Sequence, residues 1–197
     1  MRKTSLALLI LGLLLLSSGS LSAAVYTFVP NPADLNDLPH DKYFSWGIPW
    51  SHPGEVITEA VISIRGIYDW TYENNDSLYI HLLNDPKLGV KSYSDDERGG
   101  DNWNGKGPWI ATWSDPYGDP QHKANLSYSL SSRGLIDDLN NIVSAKGKFG
   151  FGFDSDCHYY NDNVSVVITT GVTPEPTTIT LLGIGLAGLG MCLRRKS

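Results

Sequence analysis

The stretch EVITEAVISIRGIYDW, residues 55–70, decides the fold class. Val56, Thr58, Ala60, Ile62 and Ile64 fall on one side of a period-2 pattern. Ile57, Glu59, Val61, Ser63 and Arg65 fall on the other. Successive side chains of an extended chain point to opposite faces, so this alternation of β-branched residues predicts a long, half-buried strand. The pattern recurs along the chain in SLYIHLLN (77–84), PWIATWS (108–114), ANLSYSL (124–130) and NVSVVITT (163–170). In KFGFGFDSD (148–156), Phe149, Phe151 and Phe153 share one face and alternate with Gly150 and Gly152. Glycine inside a strand marks a place where another group approaches closely.

One segment breaks the pattern. SSRGLIDDLNNIVSAKG (131–147) sets Leu135, Ile136, Leu139, Ile142 and Val143 at helical spacing, and Gly147 stands where a C-terminal cap falls. It predicts one short helix acting as a crossover. Residues 84–108 read as a long Gly/Pro/Asp/Asn-rich loop with one short strand near Val90 to Tyr93. The expected fold is mainly β: an antiparallel β-sandwich of jelly-roll kind with one short helix, a barrel being the alternative.

The termini differ from this body. Residues 1–24 join Arg2 and Lys3, an apolar run from Leu6 to Leu16, and small residues at Ser22 and Ala24. That order predicts a secretory signal peptide cut after Ala24, an uncleaved anchor being the alternative. Residues 25–172, the expected β domain, hold ten Lys and Arg against twenty Asp and Glu. A net charge of −10 argues against nucleic acid as a partner and favours divalent cations. Cys157 is the single cysteine of this body, which excludes an internal disulfide and points to a buried thiol, an intermolecular bridge being the alternative.

The body contains no HExxH, GxSxG, Walker or GxGxxG pattern. DSDCHYYNDN (154–163) is its densest polar cluster. Asp154, Asp156 and Asp162 are candidate Ca²⁺ ligands because carboxylate oxygens suit a hard cation. The competing reading is a loop whose Asp and Asn side chains bond their own backbone. Cys157 and His158 are adjacent on an extended chain and so are expected to face opposite ways. The acidic run DDERGGD (95–101) is a second cation candidate. Trp103 and Trp109, near Trp113, Tyr93 and Tyr117, are candidates for a carbohydrate platform, set against a core role. The sequons at Asn75, Asn125 and Asn163 matter only in a host that glycosylates them.

The last 25 residues, 173–197, combine Pro174, Glu175 and Pro176, a Gly-rich apolar run over residues 179–193, and Arg194, Arg195 and Lys196. As a helix the run spans roughly 23 Å, short for a hydrocarbon core of about 30 Å. A transmembrane helix is nonetheless expected, with the basic tail on the cytoplasmic side. This tripartite order resembles the PEP-CTERM sorting signal of bacterial exported proteins. The resemblance implies recognition of Pro174, Glu175 and Pro176 by an exosortase-type enzyme in the membrane. It also implies delivery to the cell envelope or extracellular matrix, where extracellular polysaccharide is a potential partner. The body, through NDSLYIHLLNDP and GKFGFGFDSDCHYYNDNVSVVIT, looks like the uncharacterised β-sandwich regions often joined to such tails. The leading expectation is therefore a non-enzymatic surface or matrix protein. A carbohydrate-binding module, stabilised by calcium, and an extracellular hydrolase are the competing classes.

Overall fold

The computed structural model describes residues 23–72, 76–95 and 99–172. Ten strands and one α-helix run in the order β1 (Val25–Phe28), β2 (Lys42–Pro49), β3 (Glu55–Asp69), β4 (Ser77–Leu82), β5 (Gly89–Ser94), β6 (Trp109–Ser114), β7 (Ala124–Ser129), α1 (Ile136–Lys146), β8 (Lys148–Ser155), β9 (Tyr159–Tyr160) and β10 (Asn163–Val172). Two antiparallel sheets result. One has the order β1-β10-β3-β7, with β9 on the far end of β3; the other has the order β5-β2-β8-β4-β6. Strands β4, β5 and β6 follow one another within the second sheet and β9 and β10 within the first; the other successive strands change sheet. Six of the nine connections between these strands therefore cross from one layer to the other.

The inner faces close one shared core. Ala60, Ile62 and Ile64 of β3 and Val164, Val166 and Ile168 of β10 meet Phe44 of β2, Ile80 of β4 and Phe149, Phe151 and Phe153 of β8. The β3 alternation holds only over its middle. Its pairing with β10 slips opposite Thr58, and its pairing with β7 slips between Ile64 and Ile67. Each bulge inserts an extra residue and reverses the faces beyond it. Val56 and Thr58 consequently leave the core side, contrary to the simple alternation, and Ile57 takes their place. Beyond Gly66, which adopts φ +60°, Ile67 and Asp69 turn inward.

The helix forms where its spacing predicts it. Leu139 and Ile142 are buried, and Gly147 caps it at φ 62°, its N–H donating to the Val143 carbonyl at 2.8 Å. Asn140 fastens α1 to β3 at the bulge: its Oδ1 accepts from Ile57 N at 3.0 Å and its Nδ2 donates to Ile57 O at 2.8 Å. A left-handed turn through Leu35, Asn36, Asp37 and Leu38 packs Leu35 and Leu38 into the core. The Leu38 carbonyl accepts from Tyr159 N and Ser155 Oγ, tying that turn to the segment after β8. No helix among the described residues is long and apolar enough to cross a membrane. The expected signal peptide, and the expected transmembrane helix over residues 179–193, lie outside the described residues.

Candidate functional site

Asp154, Asp101 and Trp103, which sequence reading singles out, gather on the outer face of the second sheet. On β8 the phenylalanines point inward, so Gly150, Gly152 and Asp154 point outward. Tyr43 of β2 and Tyr79 of β4 flank Asp154, while Ser45 and His81 flank Gly152. Segments on either side of β5 lie over this face. Pro86 reaches Gly150, the Lys87 backbone reaches Gly47, and Trp103 lies on Gly152. A Cβ at Gly152 would stand 2.7 to 2.8 Å from three ring atoms of Trp103, so only glycine leaves room for the indole. Trp103 is buried; its Nε1 donates to Phe153 O at 3.4 Å, and Tyr43 meets it edge-on at 5.1 Å. Lys106 Nζ sits 5.4 Å from the ring centroid. Beside it an open cleft of about 280 Å³ is lined by Tyr93, Trp103, Lys87 and Lys106 among others.

Carboxylates clamp this loop to the sheet. Asp101 Oδ2 lies 2.8 Å from Nε2 of the buried His81, and Asp101 Oδ1 accepts from Trp103 N at 3.0 Å. Asn102 N donates to Asp154 Oδ2 at 2.6 Å, and Asn102 Nδ2 donates to Asp95 Oδ1 at 2.8 Å. Asp154 is 1 % exposed, and its Oδ1 is buried without a hydrogen-bond partner. Burial pushes its carboxyl up to about 6; the charges of Asp95 and Asp101 push the same way, against the Asn102 N–H. Burial also raises the Asp156 carboxyl, with Tyr79 opposing.

The expected calcium triad does not assemble. Asp154 and Asp156 share the field of Asp95 and Asp101. Asp162 lies in the bend just before β10 of the other sheet, beside Gly66, and pairs with Lys123 Nζ at 3.0 Å. Asp154, Asp156 and Asp162 do not bring three donor atoms within 4.8 Å of one another. The reason is the turn after β8: it carries the chain from one sheet to the other between Asp156 and Asp162. Of the two tryptophans suited to a carbohydrate platform, Trp103 is covered and so offers no open face, whereas Trp109 is 55 % exposed. Cys157 and His158 do face apart. The thiol donates to Asp69 at 2.9 Å, while the imidazole stacks on Trp70 with ring centroids 5.6 Å apart. Sequence reading missed the His81–Asp101 contact, although His81 stands on the outward row of its strand.

Pro174, Glu175, Pro176, Arg194, Arg195 and Lys196 lie outside the described residues. What is known of them is their order along the chain. Residues 172–196 match the PEP-CTERM protein-sorting motif. This chain carries a PEP-CTERM sorting signal. No curated protein matches the chain. The PEP-CTERM match begins at Val172, the last residue of β10, so body and signal meet without a linker. The signal implies export, and processing by an exosortase-type enzyme in the membrane on the way to the envelope. It accounts for the tail and leaves the activity of the β-rich body unassigned.

Proposed function

We propose that this is a non-enzymatic exported protein that works at the cell surface or in the extracellular matrix. Residues 1–24 act as its signal peptide, residues 25–172 as its β-sandwich, and residues 173–197 as its address. Residues 179–193 hold the chain in the membrane as a helix while Arg194, Arg195 and Lys196 stay on the cytoplasmic side. The enzyme recognises Pro174, Glu175 and Pro176. The observation that carries the reading is the PEP-CTERM match over residues 172–196. Two facing antiparallel sheets, joined by six connections that cross between them, support a jelly-roll body. A structural role is favoured by the use made of the outer-face polar groups: His81, Asp101, Asn102 and Asp154 all hold the loop onto the sheet.

Mass spectrometry of the protein recovered from the envelope and medium tests the sorting. The expected result is a chain ending near Pro174 to Pro176, and an unprocessed chain when all three residues are replaced by Ala. Normal sorting and an unchanged C-terminus in that triple variant would overturn the reading.

A further inference from the structure

One end of the sandwich gathers acidic groups from four separate segments. Asp69 ends β3, Asp76 precedes β4, Asp115 follows β6, and Cys157 follows β8. Tyr159, on β9 opposite Asp69, completes the group. One donor atom each from Asp69, Asp76 and Cys157 lie within 4.8 Å of one another. The Tyr159 phenol is pushed up by burial first, then by the charges of Asp76, Cys157, Asp69 and Asp115.

The group has surplus donor capacity. Asp69 is fully buried; its Oδ1 accepts from Cys157 Sγ at 2.9 Å and from Thr71 N at 3.3 Å. Its Oδ2 is buried with no hydrogen-bond partner. The hydroxyl of Tyr159, also fully buried, has none either. Asp115 spends Oδ1 on Tyr117 N at 2.9 Å, and its shielded Oδ2 has no partner. Among the described residues no Lys or Arg forms an ion pair with Asp69 or Asp115. Buried charges are stable when paired or when they coordinate a metal, and buried acceptors are ordinarily satisfied.

We propose that Asp69, Asp76 and Cys157 bind a divalent transition-metal ion of zinc type, with Tyr159 or Asp115 supplying a further oxygen. Sulfur in the set selects the class. Zn²⁺ takes thiolate sulfur at about 2.3 Å and carboxylate oxygen at about 2.0–2.2 Å, so tetrahedral ligands stand roughly 3.5 Å apart. Ca²⁺ takes six or more oxygens and gains nothing from a thiol. On binding, the Cys157 thiol gives its proton, now donated to Asp69, to solvent, and the sulfur electron pair goes to the metal. One proton is released per ion bound. The site differs from the Asp154, Asp156 and Asp162 set in residues, in place and in metal.

The test uses the untagged full chain, stripped with chelator and dialysed against Zn²⁺ or Ca²⁺. Metal content and melting temperature are measured, and Co²⁺ replaces Zn²⁺ for absorption spectra. We expect one Zn²⁺ retained per chain, a melting temperature several degrees above the chelated form, and a near-ultraviolet thiolate-to-Co²⁺ band. C157S should abolish that band, and D69N should abolish Zn²⁺ retention. If D69N does not fold, C157S and the parent spectrum still decide the matter. Absence of retained Zn²⁺, or equal retention in both variants, would overturn the site. Stabilisation by Ca²⁺ alone, unchanged in C157S, would overturn the thiolate ligation.

Discussion

Asp154→Asn should make the protein more stable at neutral pH, although it removes a charged hydrogen-bond acceptor. The parent carboxyl is buried and pushed up from 3.8 to about 6. A shift of about 2 pH units is worth about 3 kcal/mol. Because the folded-state pKa is the higher one, the folded protein binds the proton more tightly than the unfolded chain. Stability from this group is therefore greatest below pH 4, falls as pH rises from about 4 to about 6, and is gone above that. Asparagine abolishes the cost of ionisation. Its oxygen still accepts from Asn102 N, at a loss of about 1 kcal/mol for the missing charge. Its amide can also donate toward Asp95 and Asp101, whose charges now repel the carboxylate. The net expectation is a gain of about 1–2 kcal/mol at pH 7.5, shrinking to zero or below at pH 4. Urea denaturation of parent and variant at both pH values measures it, provided the slope against urea is unchanged. Taking the difference between the two proteins removes contributions from Glu55, Glu59 and Asp119, whose carboxyls are lowered and act in the opposite direction. A variant less stable than the parent at pH 7.5, or a difference independent of pH, would refute the reasoning.

Two further substitutions test the packing that positions these groups. Gly152→Ala should destabilise by about 1–3 kcal/mol, because its methyl group collides with the Trp103 ring. The same change in a Trp103→Ala background should cost far less, so the double-mutant cycle by urea denaturation should be strongly non-additive. Asn140→Ala removes both hydrogen bonds to the Ile57 backbone and should cost about 1–3 kcal/mol. Its local signature is faster hydrogen exchange at the Ile57 amide, with the rest of β3 still protected.

Strand identity was legible where side-chain alternation is long. Residues 55–70 read as one strand, and the Phe149–Phe153 face with its intervening glycines read correctly as a place of close approach. The bulges at Thr58 and beyond Ile64 were not legible, since each depends on how many residues the partner strand supplies. Neither β1 nor β2 was expected. Phe44, Trp46 and Ile48 of β2 alternate as plainly as the phenylalanines of β8, but Gly47 and Pro49 obscured the pattern. The sites failed differently. Asp154, Asp156 and Asp162 are neighbours in the chain, and a turn between sheets separates them. Asp69, Asp76, Asp115 and Cys157 are scattered in the chain, and four strand ends bring them together. Proximity in sequence did not foretell proximity in space, because side chains in a sandwich are grouped by which end of the sheet a loop occupies.

That rule also separates the two functions argued for this chain. The last residue of β10, Val172, pairs with Glu55, the first residue of β3. The PEP-CTERM signal therefore leaves the body at the Glu55 end. Asp69 lies at the other end of the same strand, and 15 residues of extended chain cover up to roughly 45 Å. An enzyme acting on Pro174 to Pro176 works at the first end. The Asp69, Asp76 and Cys157 group sits at the second, with the core of the sandwich between them. Nor does the covered outer face link them, since Trp103 and its carboxylate clamps fill it. Sorting and metal binding are thus physically separable: loss of the ion should leave tail processing intact, and loss of the motif should leave the metal site intact. The end carrying the donor surplus points away from Val172, where the signal begins.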